Sequence, residues 1–390
     1  MRKRWPLLLA SIVVLIGLVF APPIRLGVFS GLLLWDVLDE KTVFAPDRGK
    51  LAKITPTPIV KSIEIPRDGR IIRADIYYTN DGKKRAGILL THGIIETGKD
   101  DPRLVRFARS LARCGFIVVI PELQGMKSFR ILLSDVDDIV ASFLDMASRT
   151  ELVDNAKLGL FGFSYGAGPT MIAAAQPAIR ERVKFLVSFG GYYDPINVIR
   201  FITTGTYEYG DERGFLKPEP YGKWVFFMNN ADYVENERDR AALRIIFEKA
   251  QKQEAEEIAR LLKELTPKAR YVYELLINDD PNRVEELVKK TDPRFQEYLA
   301  KLSLVSVVPS LQAYLIIGHG STDPLIPYTE SLRLADAMTD KSRVHVAILR
   351  LFTHVDPSRK GVSVTEMVTT YVPSLVRFYL LVYDLLRQQS

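Results

Sequence analysis

One serine stands in a spacing suited to nucleophilic attack. Gly162-Phe163-Ser164-Tyr165-Gly166 is a G-x-S-x-G pattern. Its chemistry needs a hydroxyl projecting from a sharp strand-to-helix turn, with glycines two residues away leaving room for the chain to close. Three fixed residues recur by chance, so context decides. Here the pattern follows the apolar run Lys157–Phe163 and opens a stretch rich in small residues, Ala167, Gly168, Ala173 and Ala174. A serine hydroxyl needs a base, and the base needs an orienting carboxylate. With such a turn the chain order is Ser, then acid, then His. The chain has only four histidines. His92 and His319 come too early, and His345 lies inside an alternating run that suits a packed position. His354 follows the last apolar run, at a strand's C-terminal end where chemistry gathers, and is the expected base. The expected acid is Asp323, in a loop whose Pro324 and Pro327 hold the carboxylate in place. Asp194 is the reserve. Asp356 shares a loop with His354 and is poorly placed to hold the ring from behind.

The oxyanion formed by such a nucleophile must meet fixed donors. The backbone N–H of Tyr165, at the start of the following helix, is one. The second is expected from Thr91-His92-Gly93-Ile94-Ile95, where His-Gly lets the backbone come close. Ile94 is favoured there, Ile95 is the alternative, and His92 reads as shaping the loop. Cys114 is the single cysteine, so neither an intrachain disulfide nor a cysteine-based metal cluster can form. It reads as a buried structural thiol. Lys and Arg number 53 against 47 Asp and Glu, and no basic stripe tracks a phosphate backbone, which argues against nucleic acid as a partner.

These residues need a scaffold. Ile59–Ile65 and Arg70–Tyr78 alternate around Arg67-Asp68-Gly69, a hairpin signal. From Gly87 the strands become short apolar runs, as expected for burial on both faces. Asp101-Pro102 caps a helix over Leu104–Ala112. Strands are expected at Phe116–Ile120, Lys157–Phe163, Val183–Phe189, Leu311–Ile317 and Val344–Leu351, with helices between them and a long helix from Glu366. Alternating strands and helices give a mostly parallel sheet with helices on both faces. An insertion over about residues 194–305 interrupts the alternation with short helices, several opening on Asp-Pro or Thr-Pro. Its aromatic part, Tyr207 to Phe227, reads equally as pocket lining or as core.

With His92-Gly93, the serine turn, Asp323 followed by Ile326-Pro327, and His354 in this order, the chain resembles the α/β-hydrolase superfamily. The resemblance is nearest the esterase, dienelactone-hydrolase and prolyl-oligopeptidase-like branches, and covers residues 59–390 apart from most of the insertion. It implies the α/β-hydrolase fold with a helical lid, a catalytic triad, and no metal or organic cofactor. Serine at the turn, where dienelactone hydrolases typically carry cysteine, moves the expectation toward a small or lipid-like carboxylic ester. Peptide or amide cleavage and acyl transfer by the same triad are the alternatives. A non-catalytic binding module is disfavoured by the presence of all three triad residue types.

Arg2, Lys3 and Arg4 precede an uncharged run, Trp5 to Phe20, extending to Ile24. That is close to the length a bilayer requires. A cleaved signal peptide and an uncleaved anchor both fit; Pro22 and Pro23 after the Val19-Phe20-Ala21 site favour the anchor. Residues 1–24 are therefore expected to form a transmembrane helix with a cytoplasmic N-terminus and the hydrolase domain outside the cell membrane. Residues 25–58 are read as a juxtamembrane segment and linker. Within them, Val28–Leu38 suits either an interfacial helix or one packed on the domain.

Overall fold

The computed structural model describes residues 22–251, 254–350 and 367–390. β1 (Ile59–Arg67) and β2 (Arg70–Tyr78) form the expected hairpin, turning through positive φ at Asp68 and Gly69. β3 (Arg85–Thr91), β4 (Ile117–Pro121), β5 (Val153–Phe163) and β6 (Val183–Phe189) follow. A small ribbon, β7 (Thr206–Tyr209) with β8 (Glu212–Phe215), then precedes β9 (Tyr314–Gly320) and β10 (Val344–Leu349). The main sheet has eight strands in the order β1-β2-β4-β3-β5-β6-β9-β10. Only the β1–β2 and β2–β4 pairings are antiparallel. Every other neighbour pair in it is parallel.

Both faces of the sheet are covered. Ile88 and Leu90 of β3 point into one core cluster and Leu89 into the other, which is why the strand reads as a continuous apolar run. On one face lie α1 (Pro22–Leu38), α2 (Pro102–Cys114) and, at the other end of the chain, the helix Val372–Arg387. The opposite face carries α3 (Leu133–Ser148) and α4 (Ala167–Ala174). α2 is built as its sequence demands: the Asp101 carboxylate accepts from the N–H groups of Arg103 and Leu104, Pro102 opens the first turn, and Gly115 ends the helix at φ 110°. β9 begins three residues later than the sequence suggests, at Tyr314, after a 3-10 turn at Val308–Ser310.

Between β6 and β9 the insertion holds α5 (Pro195–Thr204), α6 (Pro220–Asn230), α7 (Glu237–Gln251), α8 (Ala255–Leu262), α9 (Pro267–Ile277), α10 (Val284–Lys290) and α11 (Pro293–Leu302). It is tied into the main core: Phe227, Phe247 and Phe295 are buried in the same cluster as α3 and α4. The Tyr298 hydroxyl donates to the Ile131 carbonyl at 2.9 Å. α12 (Thr329–Ala337) and α13 (Val372–Arg387) complete the chain.

Residues 1–21 of the expected anchor lie outside the described residues, and the rest of it opens α1. Among the described residues no helix is long and apolar enough to cross a membrane. α1 packs on the domain, with Leu33 buried, and Tyr379 of α13 donates to the Gly27 carbonyl at 3.2 Å. The segment that follows is pinned down: Asp36 accepts from the Leu51 N–H at 3.0 Å, and Arg113 reaches the Pro56 carbonyl at 2.7 Å.

Candidate active site

Ser164 directly follows β5 and sits in the left-handed region, at φ 51°. A side-chain-bearing residue held there is strained, and such strain persists only where the surroundings impose it. The surroundings are visible. A Cβ at Gly162 would collide with the backbone of Ala167, and one at Gly166 with the carbonyl of His92. The two glycines thus let the chain fold back on itself at one end and pass under the β3 loop at the other. Thr170 tightens the turn, its hydroxyl donating to the Gly166 carbonyl at 2.7 Å.

That β3 loop brings Gly93 against Ser164; a Cβ on Gly93 would lie 3.1 Å from the Ser164 Cβ. The next N–H, of Ile94, makes no backbone hydrogen bond among the described residues. Tyr165 sits at the start of the helical turn, where N–H groups lack an intrahelical acceptor. Both ring nitrogens of His92 are engaged with backbone groups. Its Nδ1 lies 2.8 Å from the Gly93 carbonyl, and its Nε2 accepts the Leu123 N–H at 3.2 Å. Accepting at Nε2 requires the neutral ring, and burial accordingly pushes its pKa down. It clamps the loop, as its sequence context suggests.

Asp323 reaches the same edge of the sheet. Phe163 pairs with Phe189, and Phe189 with Gly318, so β5, β6 and β9 end side by side. Gly190 turns at φ 64°, and a Cβ there would stand 3.6 Å from the Asp323 carboxylate. Asp323 is buried, and its Oδ1 accepts from the N–H groups of Leu325 (2.8 Å) and Ile326 (3.0 Å). His319 braces this loop. Its Nε2 donates to the Ile326 carbonyl at 2.9 Å and lies 3.5 Å from Asp323 Oδ2, while its Nδ1 meets the Ser331 hydroxyl at 2.7 Å. That bracing role was not legible in the sequence, where His319 was only excluded as a base. His354 and Asp356 lie outside the described residues. β10, which leads to them, ends at Leu349 beside Gly320, with the Ser321 N–H donating to the Leu349 carbonyl at 2.8 Å.

The other candidates are accounted for locally. Asp194 caps α5, accepting the Ile196 N–H at 3.0 Å, and burial raises its pKa. His345 pairs with Asp384 of α13 at 3.0 Å. Cys114 is buried, which pushes its thiol pKa up and leaves it inert. Among the described residues no group of His, Cys, Asp and Glu is placed to hold a metal ion.

Two cavities meet at the site. The one beneath the insertion is small, about 30 Å³, and is closed by aromatic rings, among them Tyr165, Tyr192, Phe226 and Tyr298. The other, about 600 Å³, has Ser164, Gly93 and Ile94 in its wall and extends along the opposite face of the sheet to α1 and α13. Of the insertion's aromatic residues, Phe226, Tyr233 and Tyr298 line the first cavity and Tyr221 the second. Tyr207 instead packs against Tyr328, rings 5.5 Å apart.

No family model matches the chain. Over 107 residues it is 32% identical to an uncharacterised 31.7 kDa protein from the traX-finO intergenic region of Escherichia coli, a stretch covering 26% of this chain and 35% of that one. Similar solved structures include the acylaminoacyl peptidase of Pyrococcus horikoshii (14% identity, TM-score 0.48), over 86% of this chain and 43% of that one. An esterase of Pyrobaculum calidifontis (16%, TM-score 0.46) matches over 86% and 87% of the two chains. Est1E of Butyrivibrio proteoclasticus, with ferulic acid bound, matches over 84% and 98% (15%, TM-score 0.45). These likenesses are too distant to carry substrate or activity across. The sheet itself is the firmer ground: its strand order, its antiparallel edge and the strained serine at the end of β5 give this chain the α/β-hydrolase fold.

Proposed function

We propose that the protein is a serine hydrolase that cleaves carboxylic esters through an acyl-Ser164 intermediate. The observation that carries this reading is the strained Ser164 with the Gly93–Ile94 backbone laid against it. A merely structural serine has no reason to occupy the left-handed region where a β-strand turns into a helix. In this reading Ser164 Oγ attacks the ester carbonyl and its proton passes to His354. The carbonyl oxygen becomes an oxyanion, met by the N–H groups of Tyr165 and Ile94. Collapse breaks the C–O bond, and His354 returns the proton to the departing alcohol. Water then attacks the acyl-serine, giving its proton to His354, and the carboxylic acid leaves as Ser164 regains its own. Asp323 holds the imidazole in the tautomer that accepts from serine and stabilises its cation. Acyl transfer differs only in replacing water by another acceptor, and amide cleavage only in the leaving group.

The same proposal places the enzyme at a membrane through residues 1–24. Supporting it, α1 exposes Ile24, Val28 and Trp35, and its neighbour α13 exposes Val372, Val376 and Leu380. Each set recurs at helical spacing along one stripe.

A fluorophosphonate probe tests the catalytic reading. The folded wild-type protein should be labelled at Ser164, and Ser164→Ala should not. A folded wild-type protein that resists labelling and leaves p-nitrophenyl butanoate intact would not be a serine hydrolase.

A further inference from the structure

We propose that the large cavity is a binding tunnel for one long unbranched acyl chain, which makes long-chain esters the substrate class. This rests on the serine-hydrolase reading above. Beneath the insertion, the cavity that the described residues enclose is small: about 30 Å³, with aromatic rings in its wall. That is space on the scale of a water molecule or two, not of a chain. The roughly twentyfold larger cavity, about 600 Å³, lies within the range of small-molecule sites.

Its wall starts at the nucleophile and is continuous. Phe163 immediately precedes Ser164, and Phe161, two residues back on the same face of β5, stacks on it with centroids 4.3 Å apart. Phe107 of α2 meets both rings edge-on, at 5.3 and 5.6 Å. Across the sheet Phe163 neighbours Phe189, whose ring stands 6.2 Å from Phe378 of α13. From Phe378 the lining follows α13 through Leu381 and Val382 to Leu385. Seven residues of helix carry it about 10 Å deeper. Leu33 and Val37 of α1 close the side opposite. The described ionisable residues in the wall lie on other elements: Glu40, Arg103 and Glu219 are exposed, His92 accepts the Leu123 N–H, Asp101 pairs with Arg103 at 3.1 Å, and Arg106 is bonded to the Asp36 and Asp39 carbonyls. Among the described residues the α13 side carries no charge, and its Phe378, Leu381, Val382 and Leu385 suit an apolar acyl group. A chain of methylenes fits it. α1 thus serves the site directly, forming a wall that the sheet and α2 leave open.

The test uses full-length protein and p-nitrophenyl esters from acetyl to dodecanoyl. Wild-type kcat/KM should rise about two- to fourfold per methylene once the chain enters the tunnel, since each buried methylene contributes up to about 0.8 kcal/mol. Val37→Phe and Leu385→Trp narrow the tunnel at different walls. Both should lower the ratio of dodecanoyl to butanoyl kcat/KM tenfold or more relative to wild type. If Leu385→Trp fails to fold, Val37→Phe, at a half-buried position, still decides. Binding is measured separately: Ser164→Ala should bind decanoate by calorimetry, and Ser164→Ala with Val37→Phe should not. A flat or falling chain-length profile in protein whose Ser164 reacts with a fluorophosphonate overturns the tunnel and leaves the hydrolase reading standing. Absent decanoate binding, or full long-chain preference in both narrowed variants, overturns it too. Decanoate binding without Ser164 labelling would keep the tunnel and sink the hydrolase.

Discussion

At the scale of single residues, the site is built on close approaches at Gly93, Gly162 and Gly166, and the two carboxylates beside it, Asp323 and Asp194, have different tasks. Gly166→Ala puts a methyl group into the His92 carbonyl, which must move the loop that carries Ile94. It should cost about 1–3 kcal/mol of stability, read from a denaturant midpoint, and lower turnover well beyond the fraction unfolded. Asp323→Asn keeps the side-chain oxygen that accepts from Leu325 and Ile326 but removes the charge. We expect kcat to fall about 10³- to 10⁴-fold with an unchanged melting temperature. Asp194→Ala removes only the cap on α5, so it should cost about 1 kcal/mol and leave kcat largely intact. The reverse pattern, a dead Asp194→Ala and an active Asp323→Asn, would show that the acid has been assigned to the wrong loop.

At the scale of elements, α12 and the insertion are joined by a buried carboxylate. Glu330, in the first turn of α12, accepts the N–H groups of Tyr193 (3.0 Å) and Asp194 (2.7 Å), where the chain leaves the sheet for the insertion. Full burial pushes its pKa up to about 7, although those donors and Arg333, 3.4 Å away, favour the charge. A carboxyl whose folded pKa is raised stabilises fully below its unfolded value, near 4.3, and loses that contribution as pH rises toward about 7. The wild-type protein should therefore lose stability between about pH 4.5 and 7, by on the order of 1–3 kcal/mol from this group. Glu330→Gln retains an acceptor oxygen and does not titrate. Its melting temperature should show a smaller decline over that interval, and an identical decline in both proteins would mean Glu330 is ionised throughout. The insertion is not a detachable flap at these joints. Phe247 and Phe295 lie in the main core, so the cap behaves as part of the domain.

At the scale of the whole molecule, the first described helix is both structural and part of the large cavity. Leu33 is fully buried, and the Asp36 carboxylate holds the Lys50 and Leu51 N–H groups. A protein lacking residues 1–21 should fold with a melting temperature close to that of the full chain. One lacking residues 1–38 should lose several kcal/mol, because a buried leucine alone is worth about 2–5. Equal stability of the two truncations would mean that α1 is not integral. The membrane proposal is tested on the same pair of boundaries. Full-length protein should resist carbonate extraction from membranes, and the form lacking residues 1–21 should be released. A soluble extracytoplasmic chain beginning after Ala21 would instead mark the segment as a cleaved signal.

The sequence by itself determined the parts governed by local rules. The serine turn is readable because only glycine fits where backbone meets backbone, at Gly162 and Gly166. α2 is readable because Asp101, Pro102 and Gly115 each satisfy a specific demand of a helix end. The alternation of buried strands and helices left one economical layout for the sheet. What needed tertiary structure was everything set by contacts between distant segments. His319 reads as a spare histidine until Ser331 and Ile326 are seen to hold it under Asp323. Residues 39–58 read as a linker from their polarity and prolines, yet Arg106 and Arg113 tie them down from another helix. The position of the cavity was the least legible of all. Aromatic residues in the insertion and on β5 are equally apolar in the sequence, and only their packing decides which set fills space and which encloses it. The insertion's rings interlock with Tyr165 and Tyr192, whereas those on β5 and α13 stand around a gap because α1 spans the opening between them.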